Sequence, residues 1–339
     1  MTGPPGLDLR RLRAYLDGVA PDLVTGELAA ELFAGGRSNL TYAVTDGTGR
    51  WVLRRPPLGH VLPTAHDMVR EHRVLAAVSA AGFPAPRPVL LCTDPGAIGA
   101  PFFLMEHVDG TVFREAAGLE ELGPPGVRTL VLSLVDTLAD LHAFVPAKIG
   151  LADFGRPEGF NARQVRRWKT QLDASRSRDL AGIDELHARL ATDVPEGPAG
   201  SVVHGDYRLD NVLIARTGTV RAVLDWEMST LGDPLNDLAL MLVYAGLPLL
   251  SAPGRPRSPL SVPGHPDAPT MAAHYARRSG RDVRDLHWYV GFAAFKLAVI
   301  LEGVHYRYVH GQTVGGGFET VGALVPRLVA QGHEALGAS

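Results

Sequence analysis

The chain has 339 residues, 46% hydrophobic and 20% charged, with a formal net charge of -3, which suits one large globular domain or two lobes. Charges of both signs are scattered along it, so neither a nucleic-acid-binding stripe nor an acidic tail stands out, and no unbroken apolar run reaches the roughly 18 residues that cross a bilayer. The one cysteine, Cys92, excludes an internal disulfide and a cysteine-rich metal site; with no apolar signal segment at the start, the expectation is a cytoplasmic protein, monomer or homodimer, that binds neither nucleic acid nor membrane.

In chain order, residues 7–20 place Leu9, Leu12, Leu16 and Val19 at helical spacing, an amphipathic helix ahead of the first strand. From 26 to 55 the text turns to short β-like runs, ELAAELFAGG, NLTYAVTD and RWVLRRPP, with the DGTG at 46–49 as a hairpin turn between the last two. A helix over 64–81 ends at Gly82 and Pro84, and strands follow at 88–92 and 101–108. After Asp109 and Gly110 the pattern becomes mainly helical, most clearly at 130–144, 162–175 and 183–192. This predicts an α+β protein with a small antiparallel β-rich N-terminal lobe, 1–107, a larger helical C-terminal lobe, 108–339, and a ligand in the crevice between them. The proline-rich stretch 248–270 reads as an exposed loop with the character of a lid.

The strongest chemical signal is VVHGDYRLDNVLI at 202–214, followed by VRAVLDWE at 220–227. Phosphoryl transfer needs a carboxylate to orient the attacking hydroxyl and oxygen ligands to hold magnesium against nucleotide phosphates. Asp206, Asn211 and Asp225 supply that set in the HxDxxxxN spacing of a kinase catalytic loop, with a second acidic residue at the end of an apolar strand. The bland alternative, a turn between two strands, would have to meet several fixed positions by chance. His204 reads as a support of the loop backbone, Asp210 equally as loop solvation and support or as chemistry, and Asp237 as a helix cap or, by resemblance to kinase-like enzymes, a tie on the loop.

In these residues the sequence resembles the aminoglycoside phosphotransferase and choline kinase group of the protein-kinase-like fold. The resemblance implies an enzyme using ATP and Mg2+, with Asp206 as the base or hydroxyl-orienting group and Asn211 and Asp225 as magnesium ligands. It also implies a phosphate cradle at Gly36, Arg37, Ser38 and Asn39 in FAGGRSNLTYAV, a segment that alone would read equally well as an ordinary hairpin. FFLMEHVDG at 102–110 resembles the hinge, where the backbone near Glu106 and His107 would meet adenine. The chain departs from the pattern at one position. The lysine that grips the α and β phosphates is missing, because the only lysines are Lys148, Lys169 and Lys296. Arg54, or Arg55 if the strand register slips by one, stands in its place, with Glu71 as the helix partner.

From residue 230 onward eight acidic residues face nine basic ones, which disfavours a polycationic antibiotic as acceptor. HWYVGFAAFKLAVILEGVHYRYVHG at 287–311 resembles the kinase-like domains fused to acyl-CoA dehydrogenases and suggests a neutral or anionic small-molecule hydroxyl acceptor such as a hydroxyacyl thioester. Lys296 and Arg163, with Arg166 and Arg167 on the same helix, are candidates to receive it. Two rivals stay open: a nucleotide-binding module without turnover, and a protein serine/threonine kinase, the latter disfavoured by the short stretch between Asp225 and Asp237.

Overall fold

The structure, a computed structural model, describes residues 3–33, 39–59, 66–197, 200–246, 261–313 and 317–337. The chain forms two compact units, one of Met1–Thr111 with Val212–Ser229 and the other of Val112–Asn211 with Thr230–Ser339.

The first unit opens with helix α1 (Leu9–Val19), whose Asp8 side chain accepts from the N–H groups of Arg10 and Arg11 at its start, an N-cap that satisfies two free donors. Strands β1 (Ala29–Leu32), β2 (Leu40–Thr45), β3 (Arg50–Arg55), β4 (Pro88–Cys92) and β5 (Phe102–Glu106) form one antiparallel sheet in the order β1-β2-β3-β5-β4. The β2-β3 turn is the expected hairpin, and Asp46 organises it by accepting from the N–H groups of Thr48 and Gly49 with one oxygen and from Thr25 and Gly26 with the other. Leu12 and Leu16 of α1 are buried with Tyr42, Leu53, Phe102 and Leu104 from the sheet in one apolar cluster; full burial of each such side chain contributes about 1.5–3 kcal/mol. Helix α2 (Met68–Ala80) starts on an Asp67 cap.

A late segment completes this unit. Strands β7 (Val212–Ile214) and β8 (Val220–Val223) pair antiparallel. Ile214 exchanges both backbone hydrogen bonds with Thr111, and the Val223 N–H donates to the Pro84 carbonyl at 2.8 Å. Trp226 stands edge-on against Phe83 at 5.7 Å. The division at 107 and 108 is corrected accordingly: residues 212–229 pack with the N-terminal unit because their hydrogen bonds and aromatic packing lie there.

The second unit contains α3 (Ala116–Glu120), α4 (Gly123–Ala143), α5 (Phe160–Ser175), α6 (Ile183–Thr192), the strand pair β6 (Ser201–Val203) and β9 (Thr230–Gly232), α7 (Leu235–Gly246), α8 (Ala268–Ser279), α9 (Leu286–Val309) and α10 (Val325–Gly337). Helix α9 packs against α5, α6, α7 and α10. It is long and apolar enough to cross a membrane by length and composition, and 67% of that apolar window is buried, the condition of a core helix. Tyr289, Phe292 and Phe295 are buried on it, as core residues. The expected loop and lid at 248–270 lies largely outside the described residues, and its last part is the start of α8, capped by Asp267 on the Thr270 N–H.

Candidate active site

The second unit carries the loop between β6 and β7. Its backbone is pinned by one buried carboxylate: Asp237, in the first turn of α7, accepts from the His204 N–H at 2.6 Å with Oδ2 and from the Gly205 N–H at 2.8 Å with Oδ1. Burial alone would raise the Asp237 pKa, but the His142 hydrogen bond and these donors hold it below the usual range. Burial keeps His142 neutral by pulling its pKa down. His142 Nε2 lies 3.3 Å from Asp237 Oδ2 and Nδ1 lies 2.7 Å from the Tyr275 hydroxyl. The arrangement that satisfies both has Nε2–H donating to the carboxylate and Nδ1 accepting from the phenol. His204 works within the loop, its Nδ1 accepting from the Asp206 N–H at 3.3 Å. Asp237 is thus a tie on the loop from inside α7, and His204 supports the loop backbone.

On that base Asn211 Nδ2 donates to the Asp206 carboxylate and to the Asp206 carbonyl, both at 2.9 Å. With its amide N–H groups committed, Asn211 keeps its carbonyl oxygen as a ligand for a hard cation. Asp206 retains 31% side-chain exposure, while burial raises its pKa against the opposing charges of Arg208, His204 and Lys296. Arg208 Nε lies 3.6 Å from Asp206, and its guanidinium sits over the Tyr244 ring at 5.2 Å. Asp210 is half-exposed at 3.4 Å from Arg208, a solvated loop partner.

The first unit carries the second set. β3 pairs with β2 and β5 in the register Arg54↔Thr41 and Arg54↔Phe103, and this resolves the one-residue ambiguity. Arg54 Nε meets Glu71 of α2 at 2.8 Å, with side-chain exposures of only 11% and 4%. Arg55 instead is buried and donates to the carbonyls of Gly6 and Pro56. Arg54 Nη2 also reaches Asp225 Oδ1 at 2.6 Å and Glu227 Oε2 at 3.2 Å. One guanidinium is therefore held by three carboxylates. Burial works against its charge, and the three acids raise its pKa above the ordinary value. Burial pushes Glu71 up to about 7, Arg54 opposing and the other two acids adding to the rise.

Asp225 follows β8 in a left-handed backbone, φ 65°, unusual for a residue with a side chain. Glu227 was not anticipated; the signal available was the spacing of two in the triplet DWE. The Asn39 side chain is buried, donating to Glu227 at 2.9 Å with its amide oxygen 2.8 Å from His66 Nδ1, so it holds the acidic group in place. Gly36, Arg37 and Ser38 lie outside the described residues. In the expected hinge, the Glu106 N–H donates to the Arg87 carbonyl at 2.9 Å and the His107 N–H to the Arg50 carbonyl at 3.4 Å. Both N–H groups serve the sheet. The Glu106 carboxylate pairs with Arg87 on the surface.

Among the described residues no three His, Cys, Asp or Glu side chains form a metal cluster. Magnesium takes one or two carboxylates and relies on substrate phosphates and water for the rest, so Asp225 and Glu227 in the first unit are donors of the right kind, as is the Asn211 carbonyl in the second. Of the proposed acceptor residues, Lys296 donates to the Gly205 carbonyl at 3.2 Å, beside Asp206. Arg163 is corrected: its guanidinium folds back onto the carbonyls of Arg156 and Glu158 at the start of α5, where it satisfies local backbone acceptors.

The profile of the phosphotransferase enzyme family matches residues 29–284. Acyl-CoA dehydrogenase family member 11 of Gallus gallus is 36% identical over 322 residues, covering 93% of this chain and 41% of that protein. The chain thus spans about two fifths of that relative's length. A crystal structure from Ralstonia eutropha JMP134, described as a candidate aminoglycoside phosphotransferase, superposes with a TM-score of 0.82 at 29% identity, covering 98% of this chain and 99% of that one. An aminoglycoside phosphotransferase in ternary complex with ADP and hygromycin B shares the fold, with a TM-score of 0.61 at 16% identity, covering 96% of this chain and 98% of that one.

Proposed function

Since the chain belongs to the phosphotransferase enzyme family and has the protein-kinase-like fold, we propose that it uses ATP and magnesium to phosphorylate a hydroxyl of a small neutral or anionic molecule, such as a hydroxyacyl thioester. The observation that carries this reading is the Asp206 carboxylate held by the Asn211 amide on a loop whose backbone N–H groups are fixed by Asp237. Such a carboxylate accepts the hydrogen bond of an acceptor hydroxyl, orients its oxygen for in-line attack on the γ-phosphorus and takes the proton as the new P–O bond forms. Asn211 on its loop, and Asp225 with Glu227 in the first unit, each offer oxygen ligands for magnesium, which when bound neutralises charge on the nucleotide phosphates. Arg54 supplies a fixed cation, and Glu71 sets its orientation.

The near balance of acidic and basic residues after position 230 argues against a polycationic acceptor, and the acyl-CoA dehydrogenase name of the Gallus relative supports a thioester. We also read the protein as cytoplasmic, which fits its one buried, unpaired cysteine; cell fractionation tests that.

The test is magnesium-dependent ATP consumption by wild type and Asp206→Ala against aminoglycosides, amino alcohols and hydroxyacyl-CoA compounds. Consumption requiring one acceptor class and falling by roughly 10²–10⁴-fold in the variant supports the reading. Tight nucleotide binding with no consumption across the panel replaces it with a binding module, in which the Arg54 hold on Asp225 is the block.

A further inference from the structure

We propose that Lys296, with Trp168 and Arg167 beside it, binds an anionic oxygen of the acceptor next to Asp206 and thereby selects anionic acceptors over cationic ones. This deepens the function proposed above and rests on Asp206 being where the acceptor hydroxyl lies.

Lys296 sits in the middle of α9, and its neighbours Phe295 and Leu297 are buried. An ammonium there is costly unless paired, yet among the described residues no carboxylate lies within ion-pair distance of it. Its contacts are one hydrogen bond, to the Gly205 carbonyl at 3.2 Å, and the face of Trp168 at 5.6 Å. An ammonium has three N–H donors, and a single carbonyl occupies one of them. Lys296 also keeps some accessible surface, so it is not sealed into the helix packing.

A second cation converges on the same ring. The Arg167 guanidinium lies 5.9 Å from the Trp168 centroid; burial lowers the Lys296 pKa, the attraction of Asp206 and Asp237 opposes that, and Arg167 adds a smaller lowering. Two like charges around one indole repel each other until an anion joins them. The indole is buried too: Trp168 is 8% exposed, and its Nε1–H makes no hydrogen bond among the described residues. Two cations at one indole match a carboxylate or phosphate oxygen and oppose an ammonium-bearing acceptor. A lysine kept only for packing would instead extend its head to water or pair with a carboxylate.

Only three lysines occur in the chain, so lysine labelled with heavy carbon at the ε position gives three side-chain NMR signals in the full protein, and Lys296→Arg identifies the one of interest. The probes are β-hydroxybutyrate, its neutral amide, and glycerol phosphate. The expected result is a saturable shift of the Lys296 signal with an anionic probe, none with the amide, and no shift at Lys148 or Lys169. A response to β-hydroxybutyrate alone names a carboxylate, and one to glycerol phosphate alone names a phosphate. No response to either anion, an equal response to the amide, or a uniform shift of all three lysines overturns the proposal. With an anionic acceptor that turns over, Lys296→Gln should lower kcat/KM by roughly tenfold or more and Lys296→Arg should restore part of it. The two readings fail separately: turnover with a silent Lys296 signal removes this inference alone, and a responsive Lys296 without turnover removes the catalytic one alone.

Discussion

At the scale of single residues, the arginine in place of a lysine changes the electrostatics of the first unit. A guanidinium presents donors in several directions, and here it serves Glu71 with one edge while Nη2 reaches Asp225 and Glu227. Burial above all, with Asp225 and Glu227 adding and Arg54 opposing, leaves Glu71 with a raised pKa, from an ordinary 4.5 to about 7. The folded protein therefore holds a proton on Glu71 that the unfolded chain has released. The stability this contributes is fully present below about pH 4.5 and is lost as pH rises through about 7. Glu71→Gln cannot titrate, so its stability relative to wild type should improve across that window, with a slope of at most about 1.4 kcal/mol per pH unit. Urea unfolding of both proteins at a series of pH values checks this; parallel stability curves would refute it. The pairings of Asp206 with Asn211 and of Arg54 with Glu71 were legible at this scale, because these residues stand at fixed spacings on a loop, a strand and a helix. The contact of Glu227 with Arg54 and Asn39 was not legible, because it depends on which way side chains turn, and spacing does not encode that.

At the scale of elements, the loop between β6 and β7 is held from α7 by a carboxylate that is inseparable from its buried histidine. Asp237→Ala leaves the His204 and Gly205 N–H groups without their acceptor and deprives His142 of its partner. Unsatisfied buried donors cost about 1–3 kcal/mol each, so thermal stability should drop. Catalysis should fall further than the loss of folded protein explains, because Asp206 loses its fixed backbone. Single-turnover rates corrected for folded fraction distinguish this from simple destabilisation. The Gly205 backbone has φ 86°, a conformation open to glycine at little cost. The sequence predicted α1, α2, β4, β5, α5 and α6 closely, since each shows its period within a few residues of its caps. Helix α4 begins at Gly123, earlier than expected, because Pro124 and Pro125 are tolerated in a first turn. Helix α7 is buried almost all round, so it has no polar face to mark a period. Helix α8 starts on an Asp267 cap followed by Pro269, which reads as loop until the cap is seen.

At the scale of the whole molecule, the segment carrying Asp225 belongs to the unit built from the first hundred residues. Its amides should exchange with that unit. In native-state hydrogen exchange, peptides covering 212–229 should lose protection together with β2, β3 and β5, and not with the loop at 204–211. Protection that follows the loop would contradict the assignment. A β-rich beginning and a helical remainder were legible, since composition and period change near residue 110. The return of 212–229 was not, because the Val223 to Pro84 hydrogen bond and the Phe83 to Trp226 contact join residues more than a hundred positions apart and leave no local pattern. The Thr111 and Ile214 pairing also sets an order in time. A ribosome adding about 5–20 residues per second delivers the five-stranded sheet first and needs roughly 5–20 s more to produce its last hairpin. Throughout that interval Trp226 has not yet reached Phe83 nor the Val223 N–H the Pro84 carbonyl, so the nascent sheet spends its first seconds without the cover of its last hairpin, at a place that a chaperone or a neighbouring nascent chain can reach.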